Sequence, residues 1–450
     1  MTPVLAGTVV AVYALILTGA TASLVEAGGA CSSWPVCEGV DPLASTTVLV
    51  AMVHRAVTLL VGLVVIGLGV VVWAADVPRG VRWPVTIAAA LFPVQVAMGA
   101  VTAVSGGSDA LGLAHLAIAM AIFAAVLAGL MRWLEWETRA VEPRYDATAA
   151  RPEAPSVEAG SPGVIRSYLE LTKPRLMWLL CAVALAGIGL AVATTAAAIS
   201  AETVAGTLLG GVLAIGASGT FNHVLERDVD RRMARTADRP VATHAVPTRR
   251  ALTFGALLAA ASLGVFLWLV NPLSAALGVA AIAFYSIVYT VVLKPNTTQN
   301  IVLGGAVGAF PALIGWAAVT GSIGLPALVL GAIIFLWTPA HFYNLALAYR
   351  RDYARGGFPM LPVVRGARTT HRHIVGYLGA TLMAVAVLGA VSTLGWLYVG
   401  TAVAFAAVFL YTVVDLYRHR THTAAMRAFA ASNAFLGALM LVIVVETLVL

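Results

Sequence analysis

A chain of 450 residues that is 60% hydrophobic and 10% charged, with mean hydropathy +0.93, carries far more apolar surface than a soluble core requires. It reads as an all-α integral membrane protein of about thirteen transmembrane helices in a lipid bilayer. The net charge of +7 is taken as membrane topology and gives no reason to expect nucleic acid as a partner, and three cysteines are too few for a disulfide scaffold.

In chain order, the first apolar span, about 4–25, has no charged n-region and no clear A-x-A cleavage site, so it is expected to be a retained helix. The next loop holds CSSWPVC, whose Cys31 and Cys37 can pair if it faces an oxidising space; Cys181 lies in an apolar run and reads as packing. Spans near 46–75, 84–104 and 109–132 complete a four-helix group over 1–135. With the N-terminus inside, His54 and His115 each enter the bilayer from the outer face, at depths agreeing within about 5 Å by helix rise. Two histidines at one depth in a four-helix bundle suit bis-imidazole ligation of heme iron; the alternative is two unrelated histidines bonded to backbone or hydroxyls. Arg55 is the only basic residue predicted inside the hydrocarbon layer, and a heme propionate would give it an anionic partner.

The stretch 136–165, rich in Pro, Ala and charge, reads as a cytoplasmic linker. Nine more spans follow over 166–450, near 174–194, 201–222, 249–269, 272–292, 299–319, 324–345, 374–392, 395–415 and 428–448. Alternating them from a cytoplasmic N-terminus leaves outer loops without Lys or Arg and places the C-terminus outside a cell membrane. Arg79, Arg82, Arg418 and Arg420 are read as topology alone.

The charge concentrates in FNHVLERDVDRRMARTADRP, 221–240. Asn222, Glu226 and Asp230 recur at i, i+4 and i+8 and so form one helical stripe. Three oxygen donors in a column suit a hard divalent cation that keeps coordination positions for phosphate. Arg227, Arg231, Arg235 and Arg239 offer forked donors for diphosphate oxygens. Asp228 lies on the opposite side of the helix. The alternative is a solvated amphipathic loop helix.

Here a resemblance enters. N-x-x-x-[DE]-x-x-x-D after the second span of a nine-span bundle resembles the intramembrane aromatic prenyltransferases. YLELTKPRLMWLL at 168–180, the 222–240 block, LKPNTTQNIVLGGAVGAFPALIGWAAVTG at 293–321 and WTPAHFYNLALAYRRDYARGGFPMLPVVRG at 337–366 resemble the heme O synthase family more closely. The resemblance implies a Mg²⁺-dependent enzyme that joins farnesyl diphosphate to the vinyl group of heme b, with water adding to give a hydroxyethylfarnesyl side chain. It places the Mg²⁺–diphosphate motif on Asn222, Glu226 and Asp230, with Glu226 where Asp is usual and Asp228 serving the motif or capping it. In place of a second acidic repeat it offers Asn344, Arg350, Arg351, Asp352 and Tyr353. Lys173, Arg175 and Lys294 lie at the same inner face, either to hold phosphate or to anchor helices. His341 is either a heme ligand or a hydrogen-bonded packing residue. The small residues of VLGGAVGAFPALIGWAA either make room for substrate or only let helices pack.

GACSSWPVCEG, MVHRAVTLLVGLVV and FPVQVAMGAVTAVSGGSDALGLAHLAIAM resemble one half of the heme A synthases. That resemblance implies heme ligation by His54 and His115 and a redox-sensitive Cys31–Cys37 disulfide. The chain has one such half, and Ala51 stands where that family usually has Glu, so heme oxidation is not carried over. A tethered heme acceptor would raise the effective concentration of heme O at the receiving site, with heme A synthase or terminal oxidase assembly proteins as further partners. Two other readings of the whole chain are a prenyltransferase acting on an aromatic quinone precursor and a non-catalytic membrane heme carrier.

Overall fold

The computed structural model describes residues 1–24, 33–35, 41, 45–105, 109–145 and 163–449. Cys31, Cys37 and most of the expected linker lie outside the described residues. Thirteen helices among those described are long and apolar enough to cross a membrane, as the sequence predicts.

By contact the chain forms two compact units, Met1–Val141 with Leu382–Arg418, and Glu142–Thr381 with His419–Leu450. The first contains α1 (Thr2–Leu24), α2 (Thr46–Ala74), α3 (Arg79–Val104) and α4 (Asp109–Glu137). These pack in the cyclic order α1–α2–α3–α4, so α2 and α4 face each other across the bundle. Small residues set the spacing: a Cβ on Gly62 would meet Phe92 at 2.6 Å, and one on Gly69 would meet Ala89 at 2.6 Å. The segment 382–418, counted on sequence with the C-terminal bundle, groups by contact with this unit, where Arg418 reaches Glu137 at 3.3 Å. Glu137 also accepts from Thr2 Oγ1 at 2.9 Å, which ties the start of α1 to the end of α4.

The second unit begins with the short α5 (Val164–Leu171), then α6 (Pro174–Thr195), α7 (Ala201–Leu225), the single turn α8 (Arg227–Asp230), α9 (Thr248–Leu269) and α10 (Pro272–Ala283). α10 runs without a break into a π-helix, Phe284–Leu293, and the one-turn α11 (Lys294–Asn296). After α12 (Asn300–Gly304) a tight 3₁₀ turn, Gly305–Ala309, leads into α13 (Phe310–Thr320). α14 (Leu325–Ala348), the short α15 (Arg350–Gly356) and α16 (Leu361–Val364), then α17 (Gly366–Ala390), α18 (Trp396–His419) and α19 (His422–Leu448) complete the chain; only the first part of α17 belongs to this unit, and almost all of α18 to the other.

Lipid tails are as apolar as the helices, so close backbone approach holds such a bundle together. The crossing of α6 and α13 is the tightest case. A Cβ at Gly315 would stand 2.0 Å from the Ala184 carbonyl oxygen, and one at Gly187 would stand 2.4 Å from that of Ala312. Both clashes are with backbone, which cannot turn aside. Gly315→Val is therefore expected to destabilise the purified protein by about 1–3 kcal/mol, measured as a lowered midpoint in denaturant or heat.

Candidate active site

The expected column is present. Across the break between α7 and α8, the Glu226 amide donates to the Asn222 carbonyl at 2.9 Å and the Asp230 amide to the Glu226 carbonyl at 2.8 Å. Helical spacing thus continues, and Asn222, Glu226 and Asp230 share a face. All three are buried, at 2%, 5% and 2% exposure. Buried carboxylates must be paired, and each of these is. Lys294 Nζ lies 2.5 Å from Glu226 Oε1. Arg239 Nη1 bonds both Asp230 oxygens at 2.8 Å and lies 3.8 Å from Glu226 Oε2. Lys173 Nζ donates to Asn222 Oδ1 at 2.5 Å.

With Lys173 protonated, three cations face two carboxylates and the column carries one positive charge in excess, which favours an anionic ligand. Burial pushes the Glu226 carboxyl up, but Lys294, Lys173 and Arg239 together outweigh it and hold the group below its ordinary value. At Asp230 burial wins over Arg239 and the carboxyl rises. Burial, helped by Arg239 and Lys294, lowers the Lys173 ammonium to about 7, against the opposing pull of Glu226 and Asp230. Lys173 sits in left-handed backbone, φ 55° and ψ 55°, a costly conformation for a residue with a side chain, immediately before Pro174.

The π-helix supplies residues that sequence reading missed. Its wider turn brings Tyr285 and Thr290, five apart, to one side, and Thr290 Oγ1 donates to the Tyr285 carbonyl at 2.8 Å. Thr290 Oγ1 accepts from Asn222 Nδ2 at 3.2 Å, and the Tyr285 hydroxyl accepts from Lys173 at 3.1 Å. Tyr285 stacks on Tyr289 with centroids 5.7 Å apart. Beyond Lys173 and Tyr285 lies a cavity of about 120 Å³ walled by α6, α7 and α13, with Leu180, Ala184, Leu208, Ile215 and Phe310 among its apolar lining. A charged, cation-rich mouth therefore opens on an oily chamber.

The other expected site residues fall outside this column. Asp228 is exposed and pairs with Arg227 and Arg231 at 3.4 Å each. Arg227 also reaches Thr248, and Arg231 reaches the Ala242 carbonyl and His244. Arg175 is exposed. Arg235 is held between Tyr349 and Tyr353, donating to the Tyr353 hydroxyl at 3.2 Å. Arg350 is half-buried and Arg351 exposed. Asn344 is buried with Nδ2 on the Ala340 carbonyl, and its Oδ1 has no hydrogen-bond partner among the described residues. His341 lies between Trp337 and Phe429, with Nδ1 2.7 Å from Ser432 Oγ.

Asp352 accepts from the backbone amides of Ala234 at 3.2 Å and Arg235 at 3.0 Å and pairs with Arg355. It fastens the loop that carries Arg239. Asp352→Ala would remove the buried carboxylate that both amides donate to, at a cost of about 1.5–3 kcal/mol. The expected kinetic result is a raised KM for the diphosphate substrate, with kcat changed less.

In the first unit, each histidine ring is backed by a glycine on the preceding helix. A Cβ on Gly19 would meet His54 Cε1 at 3.1 Å, and one on Gly99 would meet His115 Cε1 at 3.0 Å. The Nδ1 atoms of both histidines are buried with no hydrogen-bond partner among the described residues, and His115 Nε2 is 3.0 Å from Gln95 Nε2. Arg55, expected to need an anion, donates to the carbonyls of Ser33 at 3.0 Å and Pro35 at 3.2 Å.

A membrane bundle with buried carboxylates and cations set over an apolar cavity defines the class, an intramembrane prenyltransferase fold. Residues 180–439 match the UbiA prenyltransferase family, and residues 44–159 match a family described as cytochrome oxidase assembly protein. A protoheme IX farnesyltransferase of Natronomonas pharaonis is 55% identical, over 99% of this chain and 98% of that one. Another, of Haloarcula marismortui, is 54% identical over 100% and 98%. A solved structure of a digeranylgeranylglyceryl phosphate synthase, 15% identical, shares the fold with TM-score 0.53, over 64% of this chain and 99% of that one. The chain belongs to the UbiA prenyltransferase family, among its protoheme IX farnesyltransferases.

Proposed function

We propose that the chain is a heme O synthase, moving the farnesyl group of farnesyl diphosphate onto a vinyl group of heme b. The observation that carries this is identity above 50%, end to end, with protoheme IX farnesyltransferases, in a chain whose buried column gathers Lys173, Lys294 and Arg239 around two carboxylates. The allylic C–O bond breaks and its electron pair leaves with diphosphate. The vinyl π electrons bond to the allylic carbon, water adds at the resulting cation beside the porphyrin, and a proton is released. Lys173, Lys294 and Arg239 hold the departing diphosphate, and the chamber beyond Tyr285 shields the allylic carbon from premature water.

The donor set fits Mg²⁺. Among the described residues no three His, Cys, Asp or Glu side chains group as metal ligands, so a cation here would take Glu226, Asp230 and the Asn222 oxygen, with substrate phosphate completing the shell. When bound, Mg²⁺ neutralises charge on the leaving diphosphate. With a metal on the carboxylates, Arg239 and Lys294 would be free to turn to the phosphate oxygens.

The absence of Lys and Arg from the outer loops supports a cytoplasmic N-terminus and active-site face. The glycine-backed histidines with unpartnered buried Nδ1 atoms support heme binding by His54 and His115. A downstream heme A synthase is the partner this arrangement suits. Expression in a host lacking heme O, with extracted hemes weighed by mass spectrometry, tests the main reading. Accumulation of heme O is expected, and its absence, with the protein present in the membrane, would overturn it.

A further inference from the structure

The second unit carries a second groove, which shares no lining residue with the cavity described above. It has a volume of about 490 Å³, lies between α7, α9 and the α10–π-helix run, and is lined by Leu225, Leu252, Leu263, Val279, Ile287 and Ser286 among others. Most of these lining side chains are exposed, Leu252 at 43%, Val279 at 48% and Ile287 at 59%. In a membrane protein such a surface meets hydrocarbon. Two polar features make it more than a passive surface. Ser286 is 6% exposed and lines the groove, and its Oγ has no hydrogen-bond partner among the described residues. At the inner end, α9 begins with Arg249 and Arg250, both exposed, without an ion-pair partner among the described residues and with no acid in the first turn. The helix dipole disfavours cations there. Arg249 shares a helical face with Leu252, Ala259 and Leu263, which line the groove.

We propose that this groove binds one anionic phospholipid of the surrounding bilayer. From Leu252 to Leu263 the groove follows α9 for about 16 Å, close to the depth of one leaflet's hydrocarbon. A lipid chain fills it, Ser286 donates to an oxygen of the glycerol backbone, and the phosphate meets Arg249, with Arg250 on the adjoining side of the helix adding to the positive field. Bilayer lipid far outnumbers any prenyl diphosphate diffusing beside it, so mass action favours lipid as the occupant.

The test uses the full-length protein purified in mild detergent, titrated with dioleoylphosphatidylglycerol, dioleoylphosphatidylcholine or farnesyl diphosphate, and followed by native mass spectrometry and thermal unfolding. One phosphatidylglycerol per chain should bind at this groove and raise the unfolding temperature, with phosphatidylcholine clearly weaker. Replacing both arginines, Arg249→Gln with Arg250→Gln, should weaken phosphatidylglycerol binding about thirtyfold, while phosphatidylcholine binding changes little. Ala260→Trp, which fills the groove, should abolish binding; if that variant does not fold, Ser286→Ala should weaken it. Equal binding of the two lipids, or an unaltered phosphatidylglycerol affinity in the arginine variant, would overturn the proposal. Farnesyl diphosphate displacing the lipid from the groove would overturn it too, and would make the groove a substrate staging site.

Discussion

Asp230→Ala should lower kcat for heme O formation by about 10²–10³, and raising the Mg²⁺ concentration should not restore it. Asp230 has two tasks in the resting column: it is one of only two buried carboxylates there, and it holds both hydrogen bonds from Arg239 Nη1. Without it, Arg239 is left with Glu226, already 3.8 Å away, and that last carboxylate then faces Lys294 and Arg239 together. A divalent cation would meet one amide oxygen and one carboxylate already twice paired. The loss is thus in the site's capacity to take the metal at all, and excess metal does not supply a missing ligand. Asp228→Ala is the matched control, since Asp228 is exposed and pairs only with Arg227 and Arg231 among the described residues; it should stay within about threefold of the parent. Membranes assayed with farnesyl diphosphate and heme b, with product resolved by mass, give both values. Undiminished Mg²⁺-dependent turnover by Asp230→Ala would remove the basis for the column.

How much of this was readable beforehand follows from which features are local. Each span is a local property, a run of about 20 apolar residues, and all thirteen are found. Ends are less local: α17 begins at Gly366, eight residues before the expected 374, because a helix carrying Arg368, Arg372 and two histidines continues past the apolar run into a polar stretch. The column is also local, since a spacing of four keeps a face through α7 and α8. Its partners are not. The charged stretch holds five arginines, and nothing in their order tells that Arg239, after the chain turns back, takes Asp230, while Arg231 turns to Ala242 and His244. Lys294 reaches Glu226 from 68 residues away. The π-helix escaped altogether, because FYSIVYTVVL read at a period of 3.6 puts Tyr285 and Thr290 on different faces.

The second acidic loop shows the same limit from the other side. A family pattern that expects a substrate-binding acid after the sixth span is met by Asp352, yet its oxygens are spent on the amides of Ala234 and Arg235. The loop around Asp352 and Tyr353 shapes the site by holding Arg235 and the turn toward Arg239, an action at one remove that no motif encodes. In free-energy terms, the chain stabilises the order of a basic loop before any anion arrives, which lowers the entropic cost of closing on diphosphate.

Replacing His54 and His115 together with alanine should abolish the heme absorption of the first unit in the purified protein, while the second unit continues to form heme O. Each single replacement should leave at most one axial imidazole and shift the spectrum from low-spin to high-spin. The argument rests on what surrounds the rings. Gly19 and Gly99 leave each imidazole edge room that any larger residue would occupy, since a Cβ at either position would stand 3.1 Å or 3.0 Å from the ring. Two buried Nδ1 atoms without hydrogen-bond partners among the described residues are costly in a bundle that could as well have carried leucine, which argues that the rings are there for more than packing. Gln95, 3.0 Å from His115 Nε2, would have to give up that contact, so Gln95→Leu should leave the heme spectrum intact or strengthen it. If instead Gln95→Leu abolishes the spectrum and the double histidine variant keeps it, the histidines are packing residues. Ala51 is buried on α2 where the resembling family places a glutamate, so the product expected from the intact chain is heme O, with no heme A.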